Sequence, residues 1–136
     1  MKSKKYNLRK ISRFSTVHII FFKLLVSEIT NIIEHEKLTG KCSIHILVQE
    51  ELLKRFQEQQ DFFAEVKKAV NKNTNKKHIY RIEELNQPEN QLHLIVIEVI
   101  NEKGKGVLRR CSADEILSYL HCSMLILGIP IPYHLF

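Results

Sequence analysis

"LHLIVIEVI", residues 92–100, decides the fold of this chain. Apart from His93 and Glu98 the run is aliphatic and mostly β-branched, and it has no helical period. It reads as a strand apolar on both faces, which suits the centre of a sheet covered at least partly on each side. Its flanks, "NQPENQ" (86–91) and "EKGKG" (102–106), are turn-forming and short. The runs at 78–85 and 107–111 are therefore expected as its antiparallel neighbours. A carboxylate inside such a strand is costly to bury alone, so Glu98 needs a partner. A symmetric 102–106 turn sets Glu98 opposite Arg110. The 86–91 turn sets Arg81 opposite Val96, one diagonal step from Glu98. Arg81, Glu98 and Arg110 are the expected charge cluster, read either as a salt bridge on a half-exposed face or as a functional carboxylate with basic helpers.

Working outward, "CSIHILV" (42–48) is a further short strand, and Gln49 to about Lys72 is a polar helical run. Leu52, Phe56, Phe63, Val66 and Val70 mark its buried side. From Thr16 to Lys37, Val17, Phe21, Leu24, Leu25, Ile29, Ile32 and Ile33 recur at helical spacing, while Ile19, Ile20, Phe22 and Val26 widen the stripe. A helix apolar nearly all round is buried on several sides. Ser15 or Thr16 caps its start and Gly40 marks its stop. At the other end "SADE" (112–115) has the spacing of a capping box, with Ala113, Ile116, Leu117, Leu120, Met124 and Leu127 as the buried stripe before Gly128, Pro130 and Pro132. The expected architecture is α+β, in the order α-β-α-β-β-β-α, with helices packed on a mainly antiparallel sheet. Residues 15–136 form one domain behind an N-terminal arm, residues 1–14.

The arm holds the protein's net charge. Lys2, Lys4, Lys5, Arg9, Lys10 and Arg13 are six of the chain's 21 basic residues, which leaves 15 against 15 acids in the remainder. The body is neutral, and any electrostatic attraction to nucleic acid rests on the arm. The three cysteines, Cys42, Cys111 and Cys122, are an odd number, which favours free thiols in a reducing, intracellular and cytoplasmic setting. The serines and basic residues of 1–27, with no acid among them, equally suit an organelle-targeting segment. Val17–Val26 falls short of a membrane span, with Lys23 inside it and Glu28 just beyond.

No motif identifies a reaction. Cys42 and His45 diverge on a strand, His121 and Cys122 diverge on a helix, and there is no Cys-x-x-Cys, so neither a metal site nor a cofactor is expected. "NEKGKGVL" (101–108) lacks the ending of a phosphate-binding loop. Residues 49–127 resemble double-stranded-RNA-binding domains in element order alone, and the acidic "SADEI" start of the last helix opposes phosphate binding there. Arg81, His93, Arg109 and Arg110 are the residues a metal-independent ribonuclease would use. The favoured expectation is a non-enzymatic interaction module that binds another chain or itself as a homo-oligomer. Its expected surface is Phe22 and Val26 on the first helix with Ile131, Tyr133 and Phe136 in the tail. The alternative is an RNA or DNA binder acting through the arm, with Tyr6 and Phe14 stacking on bases.

Overall fold

The computed structural model describes residues 14–88 and 93–127. The chain is α+β, in the order expected: α1 (Thr16–His35), β1 (Cys42–Val48), a helical pair α2 (Glu50–Gln57) and α3 (Phe62–Thr74), β2 (Ile79–Glu84), β3 (His93–Asn101), β4 (Gly106–Ser112) and α4 (Ala113–Leu127). The four strands form one sheet in the order β2-β1-β3-β4.

The sheet is mainly antiparallel, as expected, and mixed through one parallel pairing. β1 pairs parallel with β2 and antiparallel with β3, and β3 pairs antiparallel with β4. β1 thus takes the place beside β3 that the expected meander gave to β2. The cause is apolar content. Ile44, Ile46 and Val48 of β1 are buried, whereas β2, "IYRIEE", has no fully buried residue and occupies an edge. A parallel connection needs a long crossover, and residues 49–78 supply it with α2 and α3.

Register across the β3–β4 hairpin also differs from the symmetric turn. Gly104, at φ +83°, sits in the left-handed region and closes a tighter loop. The Asn101 amide oxygen accepts from the Lys103 and Lys105 backbone N–H groups. Glu98 consequently stands opposite Leu108, and Arg110 opposite Val96. A shift of two residues leaves both charges on their original face.

Two helices stop without glycine. α1 ends where Lys37 turns left-handed at φ 52°, with Leu38 N–H donating to Ile33 C=O and Lys37 N–H to Glu34 C=O. Buried Leu38 completes this Schellman arrangement with its apolar contact, so the stop falls before Gly40. Asn75 at φ 55° ends α3 the same way. At the start of α1 the Ser15 hydroxyl accepts from the His18 N–H.

The 49–72 run is broken at residues 58–61 rather than continuous. The break brings Phe62 inward to stack on Phe56, centroids 4.7 Å apart, and leaves Phe63 half-buried. Phe14, Phe21 and Phe22 pack around this pair. The core lies between the helices and one sheet face, and includes Ile95, Ile97, Val99, Ile116 and Leu120. The side chains of Met124 and Leu127 lie outside the described residues.

Candidate functional site

With the helices gathered on one face, the other face of the sheet stands open. Its outward side chains fall in three rows across β2-β1-β3-β4: Ile79–Ser43–Ile100–Gly106, Arg81–His45–Glu98–Leu108, and Glu83–Leu47–Val96–Arg110. Strand alternation produces this arrangement directly, because the partners of each row share a side of the pleat. Ile79, Ile100 and Leu108 are 55%, 37% and 44% exposed, so large aliphatic groups lie in water beside the charges.

The middle of this face carries a linked charge group. Glu83 accepts from Arg81 Nε at 2.6 Å and lies 3.1 Å from His45 Nε2. The Arg81 guanidinium, and after it the His45 imidazole, hold the Glu83 carboxyl below its ordinary value. Of the expected trio, Arg81 is thus engaged by Glu83 and stands two strands from Glu98, with β1 between them. Glu98 faces His45 across β1–β3, and Arg110 lies one diagonal step away on β4. Among the described residues neither Glu98 nor the Arg110 side chain makes a hydrogen bond or ion pair. Sequence reasoning omitted His45 and Glu83 from the cluster because it did not place β1 between β2 and β3.

On the helical side, a cleft of about 100 Å³ is lined by Leu24, Glu28, Arg109, Cys111, Glu115, Ile116 and Tyr119. Arg109 joins three elements: its guanidinium donates to Glu28 of α1 and to Glu115 of α4. The Glu115 hydrogen bond raises the Arg109 pKa, and in return Arg109 lowers that of Glu115. Ser112 accepts from Glu115 N–H, as the capping box required, while the carboxylate turns to Arg109. Burial pushes the Cys111 thiol up to about 11, so it is a thiol and not a nucleophilic thiolate at neutral pH. With both carboxylates committed to its guanidinium, Arg109 is a tie between elements rather than an anion receptor.

His78 is buried in a third network. Its Nδ1 accepts from the Cys42 backbone N–H at 3.0 Å, so Nε2 carries the proton and donates to Thr74 Oγ1 at 2.8 Å. The Thr74 hydroxyl in turn donates to Val70 C=O. Burial, with the charge of Lys76 as a second cause, lowers the His78 pKa. His18 makes a similar tie, its ring bridging the Ser15 hydroxyl and the Arg55 carbonyl. No group of three His, Cys, Asp or Glu side chains able to hold a metal exists among the described residues.

The other expected site residues are placed as follows. Phe22 and Val26 are 1% and 0% exposed within the chain's own core, so they are not a docking surface. Phe14 is buried against Phe22 and Phe62, which removes it as a base-stacking ring and ends the arm before it. Lys2, Lys4, Lys5, Arg9, Lys10 and Arg13 lie outside the described residues, as do Tyr6, Ile131, Tyr133 and Phe136. His93 and Arg110 are separated from Arg81 by intervening strands, and Arg109 lies on the opposite face, so the four do not converge. Helix α1 is long and apolar enough to cross a membrane, unlike the shorter stretch Val17–Val26 from which no span was expected, and here 61% of its apolar window is buried inside the protein.

Fold and site together define a two-layer α+β protein with one helix-covered sheet face and one open face of mixed aliphatic and charged character. Comparisons with protein families, curated proteins and solved structures return no match for this chain.

Proposed function

We propose that this protein is an interaction module, an adaptor or an oligomerising domain, whose contact surface is the open sheet face. The observation that carries this reading is the exposure of Ile79, Ile100 and Leu108 on a face that the four helices leave uncovered. Aliphatic side chains interspersed with charges of both signs have the make-up of a protein contact. The face bears Arg81 and Arg110 against Glu83 and Glu98, and none of its outward positions in the three rows holds Phe, Tyr or Trp. A neutral face whose one ring is the His45 imidazole offers nucleic acid little counterion release and little stacking.

The test places a photo-crosslinking amino acid at Leu108, and as a control at exposed Lys68 of α3, in the protein expressed in its native cells. Covalent protein adducts at 108 and not at 68 are expected. Absence of adducts at 108 overturns the reading. The charge segregation of the arm favours nucleic-acid binding as the second reading. Its test is fluorescence anisotropy with a labelled single-stranded RNA, using the full chain and a chain lacking residues 1–13. Tight, steeply salt-dependent binding lost on truncation would replace the first reading with the second.

A further inference from the structure

We infer that the open face docks on the same face of a second copy of this chain, about a two-fold axis running along the strands between β1 and β3. The inference rests on the interaction reading above and names its partner. Rotation about that axis exchanges the outer strands β2 and β4 with each other and the inner strands β1 and β3 with each other, while each row stays level. Glu83 then meets Arg110 of the second copy and His45 meets Glu98, while Leu47 lies over Val96, which is already buried within its own copy. Each contact occurs twice, as an isologous interface requires. Ile79 meets Gly106, and Ile100 stands beside that position, a Cβ at Gly106 lying 3.0 Å from its Cγ1.

Charge selects this axis over the other face-to-face choice. A two-fold running across the strands would set Arg81 on Arg81 and Glu98 on Glu98, both repulsive. The axis along the strands supplies an opposite charge to Arg110 and sets Glu98 against the His45 ring, Arg110 and Glu98 being the two outward charges without a partner among the described residues. Arg81 faces Leu108, and its aliphatic stem covers that side chain while its guanidinium stays on Glu83. Face-packed sheets lie ~10 Å apart and rotate by about 30°, which Arg and Glu side chains span. Four strands give a footprint of roughly 400 Å² per copy. Two such footprints total roughly 800 Å², below the range of stable specific interfaces, so the dimer is weak, reversible and concentration-dependent.

Sedimentation velocity of the full chain over a concentration series tests the proposal, with Arg110→Glu, Glu83→Arg and the double charge swap. The wild-type chain is expected to shift from monomer to dimer as concentration rises. Each single swap replaces two attractive pairs with two repulsive ones and raises the dissociation constant at least about tenfold. The double swap restores the cross-copy pairs but not the Arg81 and His45 bonds to Glu83, so relative to Glu83→Arg alone it lowers the dissociation constant by at least about threefold. Both positions are solvent-accessible, and circular dichroism confirms that each variant folds. A chain monomeric up to roughly millimolar concentration overturns the proposal. So does a dimer indifferent to the single swaps, or one that the double swap leaves no tighter than Glu83→Arg alone. In the first case protein adducts at position 108 in cells would still uphold the interaction reading, so the two failures are distinct.

Discussion

His78 illustrates how one side chain can fix a pH response. Its Nδ1 acceptor role holds β1 to the end of the α3–β2 connection, and protonation of that nitrogen abolishes the Cys42 bond. The folded pKa is lowered, so between it and the unfolded value of about 6.5 the unfolded chain binds more protons than the folded one. The stabilisation is complete above about pH 6.5 and fades as pH falls below it. Melting temperature is therefore expected to fall as the pH is lowered from about 7.5 to about 5.5. His78→Gln keeps an acceptor for Cys42 N–H but does not titrate, and its melting curve should shift less over that range. Equal pH slopes in the two proteins would refute this account. The carboxylates Glu83 and Glu115, whose pKa values are lowered by arginine, act in the acid range below it.

At the scale of the element, the two strands bordering the parallel pairing have unequal duties. Ile46 of β1 is fully buried and Ile79 of β2 is mostly exposed, although both are strand isoleucines. Ile46→Ala should cost about 2–5 kcal/mol in urea unfolding, from lost burial and the cavity left behind. Ile79→Ala at low protein concentration should stay within about 0.5 kcal/mol. Similar losses at both sites would contradict the assignment of β1 to the centre and β2 to the edge. Periodicity in the sequence was enough to show where the elements lie and which side of each is apolar. It did not show the break between α2 and α3, because "QEQQD" (57–61) contains neither glycine nor proline. The stacking of Phe62 on Phe56 is a tertiary gain with no local signature. Strand order was hidden for a related reason. Short turn-like spacers suggested sequential hairpins, whereas burial selected β1 as the inner neighbour of β3.

For the whole molecule, charge and fold are separate parts. The 15 basic and 15 acidic residues outside the arm balance, so deletion of residues 1–13 should bring the isoelectric point near neutrality. The truncated chain is expected to lose retention on a cation exchanger at neutral pH and to become less soluble there. Retention unchanged by the truncation would show that the remaining body carries a basic patch of its own. The candidate surface was legible in part. Arg81, Glu98 and Arg110 were identified from the cost of a carboxylate in an apolar strand, and all three do face outward. His45 and Glu83 became visible only with the strand order. The buried state of Phe22 and Val26 comes from α1 packing against both α3 and β3, as its nearly all-round apolar pattern implied and the expected docking role of the two residues did not.

The inner position of β1 has a consequence for the chain while it is being made. Both strands that flank β1 lie later in the sequence, at residues 79–84 and 93–101. At ribosomal speeds of ~5–20 residues per second, β1 waits roughly 3 to 10 s after its own synthesis for its second neighbour to be completed. During that interval the buried face of α1 and two unpaired strand edges coexist on a nascent chain. A ribosome stalled before residue 101 would hold a sticky, chaperone-seeking intermediate, and one released well beyond it a chain able to close its sheet.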